Sequence, residues 1–189
     1  MALLGLDTKD SRKKRIIMKT KVVNSENPIE HWSDITNIDN KIVMDLGCGW
    51  LFQPFQSTPE YFISRGAKLL IGVEADGGEV QKLQTLYPNH TFICKTILSE
   101  THLIELFWTY RPQVIKMDIE GYESVINKMT SEQWISVEEI GVEYHNPTCK
   151  EILERKLSEF GFEITNINTF GWFCTDVNIM GIMHAKRKL

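Results

Sequence analysis

The 189-residue sequence predicts one α/β body: a mostly parallel β-sheet with helices layered on both faces. Three observations carry that expectation. Short apolar runs alternate with helix-length stretches, the pattern left by repeated strand–helix–strand crossovers. Lys41–Leu46 is an apolar run closing on Gly47-Cys48-Gly49, as a buried parallel strand feeding a tight turn does. The last two runs have no convincing helix between them and read as an antiparallel hairpin at the sheet edge.

Each element follows in order from its own residues. Residues 1–40 read as a leader and a segment that could cap a substrate, and residues 41–189 as the main domain. Within the leader, Asn24–Asn40 is rich in turn formers and offers a short helix around Glu30-His31-Trp32. After the first strand, Ser57-Thr58-Pro59-Glu60 supplies an N-cap with proline just inside a helix that Gly66 ends. Lys68–Glu74 is the second strand, Glu79–Leu86 a helix broken by Pro88, and Thr91–Thr96 the third strand. Glu100–Tyr110 is helical, Val114–Asp118 is the fourth strand, and Tyr122–Met129 returns as a helix. The latter half of Ser136–Tyr144 makes the fifth strand. Ile152, Leu153, Leu157 and Phe160 line one side of a helix over Lys150–Phe160, which Gly161 stops. Phe162–Ile167 and Val177–His184 complete the set.

Composition narrows the function classes. With 42% hydrophobic and 24% charged residues, the chain is neither a disordered tail nor a rod. No apolar run approaches the roughly 18 residues of a membrane span, and a cytoplasmic location is expected. Cys48, Cys94, Cys149 and Cys174 are scattered, so reduced thiols are expected rather than a disulfide or zinc scaffold. Residues 9–21 carry seven lysines and arginines against Asp10, a local +6, which leaves −10 for the remainder of a chain of net −4. Such a leader could touch RNA or another anionic surface, or serve as a solvated arm.

In a sheet of this kind ligands bind beyond the carboxyl ends of the central strands. The residues ending strands therefore carry the chemistry. Gly47 and Gly49 allow a sharp turn and close backbone approach to a ligand. Glu74 ends the second strand, where a carboxylate can take both hydroxyls of a ribose. Ser99-Glu100, past the third strand, either meets an adenine or caps the next helix. Asp118 ends the fourth strand, with Glu120 and Glu123 reading as supports of the Gly121 turn. Glu143-Tyr144-His145 ends the fifth, and His145 is the expected proton acceptor, with Asp118 or Glu143 orienting the substrate. Asp118 and Glu143 could also share a magnesium-like ion, a reading not favoured over a metal-free site.

Val43-Met44-Asp45-Leu46-Gly47-Cys48-Gly49 and Gly72-Val73-Glu74 resemble the first two motifs of class I S-adenosylmethionine-dependent methyltransferases. Ile115-Lys116-Met117-Asp118-Ile119-Glu120-Gly121-Tyr122-Glu123 resembles, more narrowly, the signature of the FkbM-type family. Ile97-Leu98-Ser99-Glu100 and Val142-Glu143-Tyr144-His145 follow in that family's order. The resemblance spans roughly residues 41–186. It implies a Rossmann-like three-layer fold with seven strands, the last antiparallel, S-adenosylmethionine as cofactor, and methyl transfer to a hydroxyl of a small molecule or sugar. It also implies that Glu74 holds the ribose and that Gly47 and Gly49 pass beneath the amino-acid portion. Asp118 would lie near the methionine end and Ser99 and Glu100 near the adenine, with Asp45, Cys48 and Ala75 completing the cofactor site. Leu51 departs from the family's usual glycine. The alternatives are an RNA methyltransferase using the basic leader and a noncatalytic cofactor-binding module.

Overall fold

The computed structural model describes residues 20–23, 28–49, 57–170 and 180–188. Its elements are β1 (Thr20–Val23), α1 (Pro28–Trp32), β2 (Ile42–Leu46), α2 (Thr58–Ser64) and β3 (Leu69–Glu74). They continue with α3 (Gly77–Leu86), β4 (Thr91–Cys94), α4 (Glu100–Tyr110) and β5 (Val114–Met117). Two 3-10 segments, Glu123–Lys128 and Ser131–Trp134, precede β6 (Glu139–Tyr144), α5 (Pro147–Glu159), β7 (Phe162–Phe170) and β8 (Gly181–Arg187).

The strands form one sheet in the order β1-β7-β8-β6-β5-β2-β3-β4. All pairs are parallel except β8 with β6 and β8 with β7. The chain order therefore reverses between β2 and β5, the crevice where such sheets bind ligands. The seven expected strands are present, and the eighth comes from the leader: β1 pairs with β7 from Thr20↔Ile167 to Val23↔Phe170. That pairing satisfies backbone groups that an edge strand otherwise exposes.

Alternation of side chains along the strands builds two apolar layers. On one face Met44, Leu46, Ile71 and Val73 pack with Leu103, Phe107, Trp134, Leu153 and Leu157. On the other, Val43, Leu70 and Val114 pack with Trp32, Ile35, Tyr61, Phe62 and Leu83. Trp134 is fully buried, stacked on Phe160 at 5.0 Å between centroids and edge-on to Phe107 at 5.1 Å. Ile29, Trp32, Ile35 and Ile38 are buried against the sheet, so this stretch of the 1–40 segment is part of the packed body.

Local sequence explains several boundaries. Ser57 caps α2 by accepting from the Glu60 amide, with Pro59 inside the first turn. Asn146 caps α5 by accepting from the Cys149 amide at 2.8 Å, which starts that helix before Lys150. The stretch expected as a helix over Tyr122–Met129 is a 3-10 segment over Glu123–Lys128. Cys48 and Cys149 are buried, Cys94 is exposed, and all three are free thiols. Among the described residues no helix is long and apolar enough to cross a membrane.

Candidate active site at the carboxyl end of the sheet

The turn after β2 is shaped by its neighbours. Gly47 has φ +77° and sits so close to the next turn that a Cβ there would stand 1.8 Å from the Asp118 carbonyl oxygen. Only glycine fits that conformation and that approach. The Gly47 and Cys48 amides donate to the Val73 carbonyl at 2.8 and 3.2 Å, joining the turn to β3. One residue on, the Gly49 amide donates to Glu74 Oε2 at 2.8 Å. The other oxygen of Glu74 accepts from the Ala75 and Asp76 amides at 2.7 and 3.1 Å. The Glu74 carboxylate is thus fixed at the mouth of the crevice by three backbone donors. Burial pushes the Cys48 thiol far above its ordinary range, so it acts as packing beneath the turn.

Beneath that turn lies a charge pair. Lys116, in the middle of β5, is 2% exposed, and its Nζ is 3.3 Å from Asp45 Oδ1 and 3.6 Å from Asp118 Oδ2. The ammonium also donates to the Gly47 carbonyl at 2.6 Å and lies 5.1 Å from the centre of the Trp32 ring. Asp45 is wholly buried and accepts from Thr58 Oγ1 at 2.6 Å. Burial opposes the Lys116 charge, but Asp45 and Asp118 outweigh it and raise its pKa, so the ammonium keeps its proton. Burial pushes the Asp45 carboxyl up, against the pull of Lys116 and the Thr58 hydrogen bond.

Three of the expected residues converge. Asp118, Glu143 and His145 each place one donor atom within 4.8 Å of the others, all partly buried. His145 Nε2 is 3.9 Å from Glu143 Oε1 and 3.7 Å from Glu120 Oε2, while Nδ1 is 3.3 Å from Glu123 Oε1. The Nδ1 contact is an ion pair out of line for a hydrogen bond. Burial pulls the imidazole down, but Glu123, Glu143 and Asp118 outweigh it and push it up to about 9. Burial, reinforced by Asp118, pushes Glu143 up to about 8. The pair therefore retains proton at neutral pH and titrates as a unit. The trio also has the donor chemistry of a divalent-ion site, but Lys116 beside Asp118 and the protonated His145 already supply positive charge there.

Ser99 and Glu100 stand elsewhere on this rim. They line a hollow of about 310 Å³ with Leu98, Tyr122, Lys128 and Ile152. Ser99 occupies the N-cap position of α4 without a side-chain capping bond. Residues 50–56, with Leu51, and residues 171–179, with Trp172 and Cys174, lie outside the described residues, as do residues 1–19. Sequence reasoning overlooked Lys116 as a site residue, although a lysine inside the apolar run Val114–Met117 must find a partner when buried. Glu123 does support the Gly121 turn, as expected, while Glu120 is exposed beside His145.

No family model matches the chain, and no curated protein matches it in sequence. Solved structures do share its fold. A proposed RNA methyltransferase from Pyrococcus horikoshii aligns over 89% of this chain and 92% of its own, with a TM-score of 0.54 and 14% identity. A proposed tRNA methyltransferase from Streptococcus pneumoniae aligns over 88% and 72%, with a TM-score of 0.53 and 16% identity. A proposed S-adenosylmethionine-dependent methyltransferase from Streptococcus mutans aligns over 80% of this chain and 46% of its own, at 0.54 and 10%. These findings overturn the FkbM-type assignment: no family model supports it, and the structural likeness runs to these other methyltransferases. What the strand order and the structural neighbours establish is the Rossmann-like class I methyltransferase fold.

Proposed function

We propose that the protein is an S-adenosylmethionine-dependent methyltransferase whose acceptor is carried on RNA. The observation that carries the reading is the convergence at one sheet end of the Gly47–Gly49 turn, the fixed Glu74 carboxylate and the Asp118–Glu143–His145 trio. Descriptions of two structural neighbours as RNA methyltransferases, together with the +6 segment over residues 9–21, favour RNA as the acceptor.

S-adenosylmethionine, when bound, supplies an electrophilic methyl group. The chain's residues do the rest. Glu74 would take the ribose hydroxyls, and Gly47, Cys48 and Gly49, with Asp45 behind them and Ala75 alongside, would leave room for the amino-acid portion. Ser99 and Glu100 would approach the adenine. Asp118 and Glu143 would orient the acceptor, and the Glu143–His145 pair would receive its proton once it has lost its own. The reaction would need no divalent ion.

A second reading, methylation of a small-molecule or sugar hydroxyl, is favoured by the net −10 that the chain carries outside residues 9–21, which offers phosphate little to hold. Calorimetric titration with S-adenosylhomocysteine, with NAD as control, tests the pocket. Transfer of labelled methyl from S-adenosylmethionine into total RNA or into a small-molecule pool then separates the acceptors. One-to-one binding of S-adenosylhomocysteine with label in RNA supports the proposal; label confined to small molecules supports the second reading. A folded, ligand-free protein that binds neither compound points to a noncatalytic module.

A further inference from the structure

Glu123 is wholly buried at the start of the first 3-10 segment, directly after the turn that carries Asp118. Its Oε1 accepts from the Ile119 amide at 3.0 Å and from the Gly121 amide at 3.2 Å. The same oxygen lies 3.3 Å from His145 Nδ1, at the end of β6. Oε2 faces the Cys149 thiol of α5 at 4.0 Å.

The turn it holds is unusual. Glu120 and Gly121 are consecutive residues with positive φ, +54° and +95°. A non-glycine residue in that region needs surrounding contacts to keep it there. The hydrogen bonds on either side of Glu120 both end on the Glu123 carboxylate.

We infer that Glu123 is a positioning residue that ties the Asp118 turn and the His145 imidazole to one buried carboxylate. With Nδ1 turned toward Glu123, Nε2 becomes the nitrogen presented to Glu143 and Glu120. The charged groups facing the ring are Glu123 and Glu120 from the turn, Glu143 from β6 and Asp118 from the end of β5. Glu123 makes the shortest of the ring's ion-pair contacts and is wholly buried, so its charge acts on the ring with little screening. The consequence for methyl transfer rests on the function proposed above, whereas the coupling itself does not.

The test uses the full chain without cofactor or acceptor. Histidine-labelled protein and its Glu123→Gln and Glu123→Asp variants are titrated by NMR, with His145→Gln assigning the ring signals. Amide exchange is followed at Ile119 and Gly121. Glutamine still offers an oxygen to both amides but no charge to the imidazole. Exchange there should stay within about tenfold of the parent, since a charge-assisted hydrogen bond becomes a neutral one. The His145 midpoint should fall by about one pH unit or more. Glu123→Asp, which keeps the charge on a shorter arm, should fall between the two and remains readable if the glutamine variant does not fold. An unchanged midpoint in a folded variant overturns the inference. Intact coupling in a protein that fails to bind S-adenosylhomocysteine refutes the functional reading alone.

Discussion

Gly47 and Gly49 sit two residues apart, yet alanine should fail at them for different reasons. At Gly47 the added carbon meets a backbone oxygen at 1.8 Å in a left-handed conformation, and neither can move cheaply. Gly47→Ala should destabilise by about 3 kcal/mol or more, read from the denaturation midpoint. At Gly49 the three nearest atoms all belong to the Glu74 side chain, Oε2 at 2.5 Å, Cδ at 2.6 Å and Cγ at 2.7 Å. Gly49→Ala should lower the midpoint less than Gly47→Ala does and weaken S-adenosylhomocysteine binding about tenfold by displacing that carboxylate. Glu143 makes a pH prediction with a definite sign. Burial raises its folded pKa to about 8 from an ordinary 4.5, so the folded state holds the extra proton. Its stabilisation is full below pH 4.5 and is lost as pH rises through 8. Glu143→Gln should therefore melt above the parent at pH 8, with the difference shrinking toward pH 5; a constant difference would refute the assignment. At this scale strand-end carboxylates were legible in sequence because the topology forces them together. The roles of Lys116 and Glu123 were not, because a buried charge is understood only once its partners are placed.

Among the elements, β5 carries the most consequential anomaly. Its four residues are all buried, and one is Lys116. Replacing Lys116 with methionine keeps the apolar stem but leaves Asp45 buried without its cation. That change should cost about 3–5 kcal/mol in chemical denaturation. Adding Asp45→Asn should recover much of it, and a double variant no more stable than the single would show that the pairing is not what Lys116 provides. Crossover strands were legible because their apolar runs end at Gly47, Ala75 and Gly121. The 3-10 segments were harder to read: Glu123–Lys128 has the composition of a helix, but the Glu123 side chain turns back to the Ile119 and Gly121 amides. The pairing of β1 with β7 was illegible because Thr20–Val23 is too short and too embedded in basic residues to announce a partner nearly 150 positions away. Tertiary contact, not local propensity, decides such an edge.

Across the whole molecule, charge separates the two acceptor readings. Among the described residues the two buried clusters lie within residues 29–185, and the positive charge of residues 12–15 falls outside that range of the sequence. RNA binding, by contrast, would draw on it directly, because each neutralised phosphate releases a counterion. Replacing Arg12, Lys13, Lys14 and Arg15 with glutamine should leave the melting temperature and S-adenosylhomocysteine affinity at parental values. Affinity for single-stranded RNA should fall, and its log–log dependence on salt should flatten by about 3, at about 0.7 per lost phosphate contact. The body that remains carries most of the net −10 outside residues 9–21 and offers RNA little else to hold. An unaltered salt slope would remove the basic segment from recognition and move the acceptor toward small hydroxyl compounds, whose binding needs no basic surface.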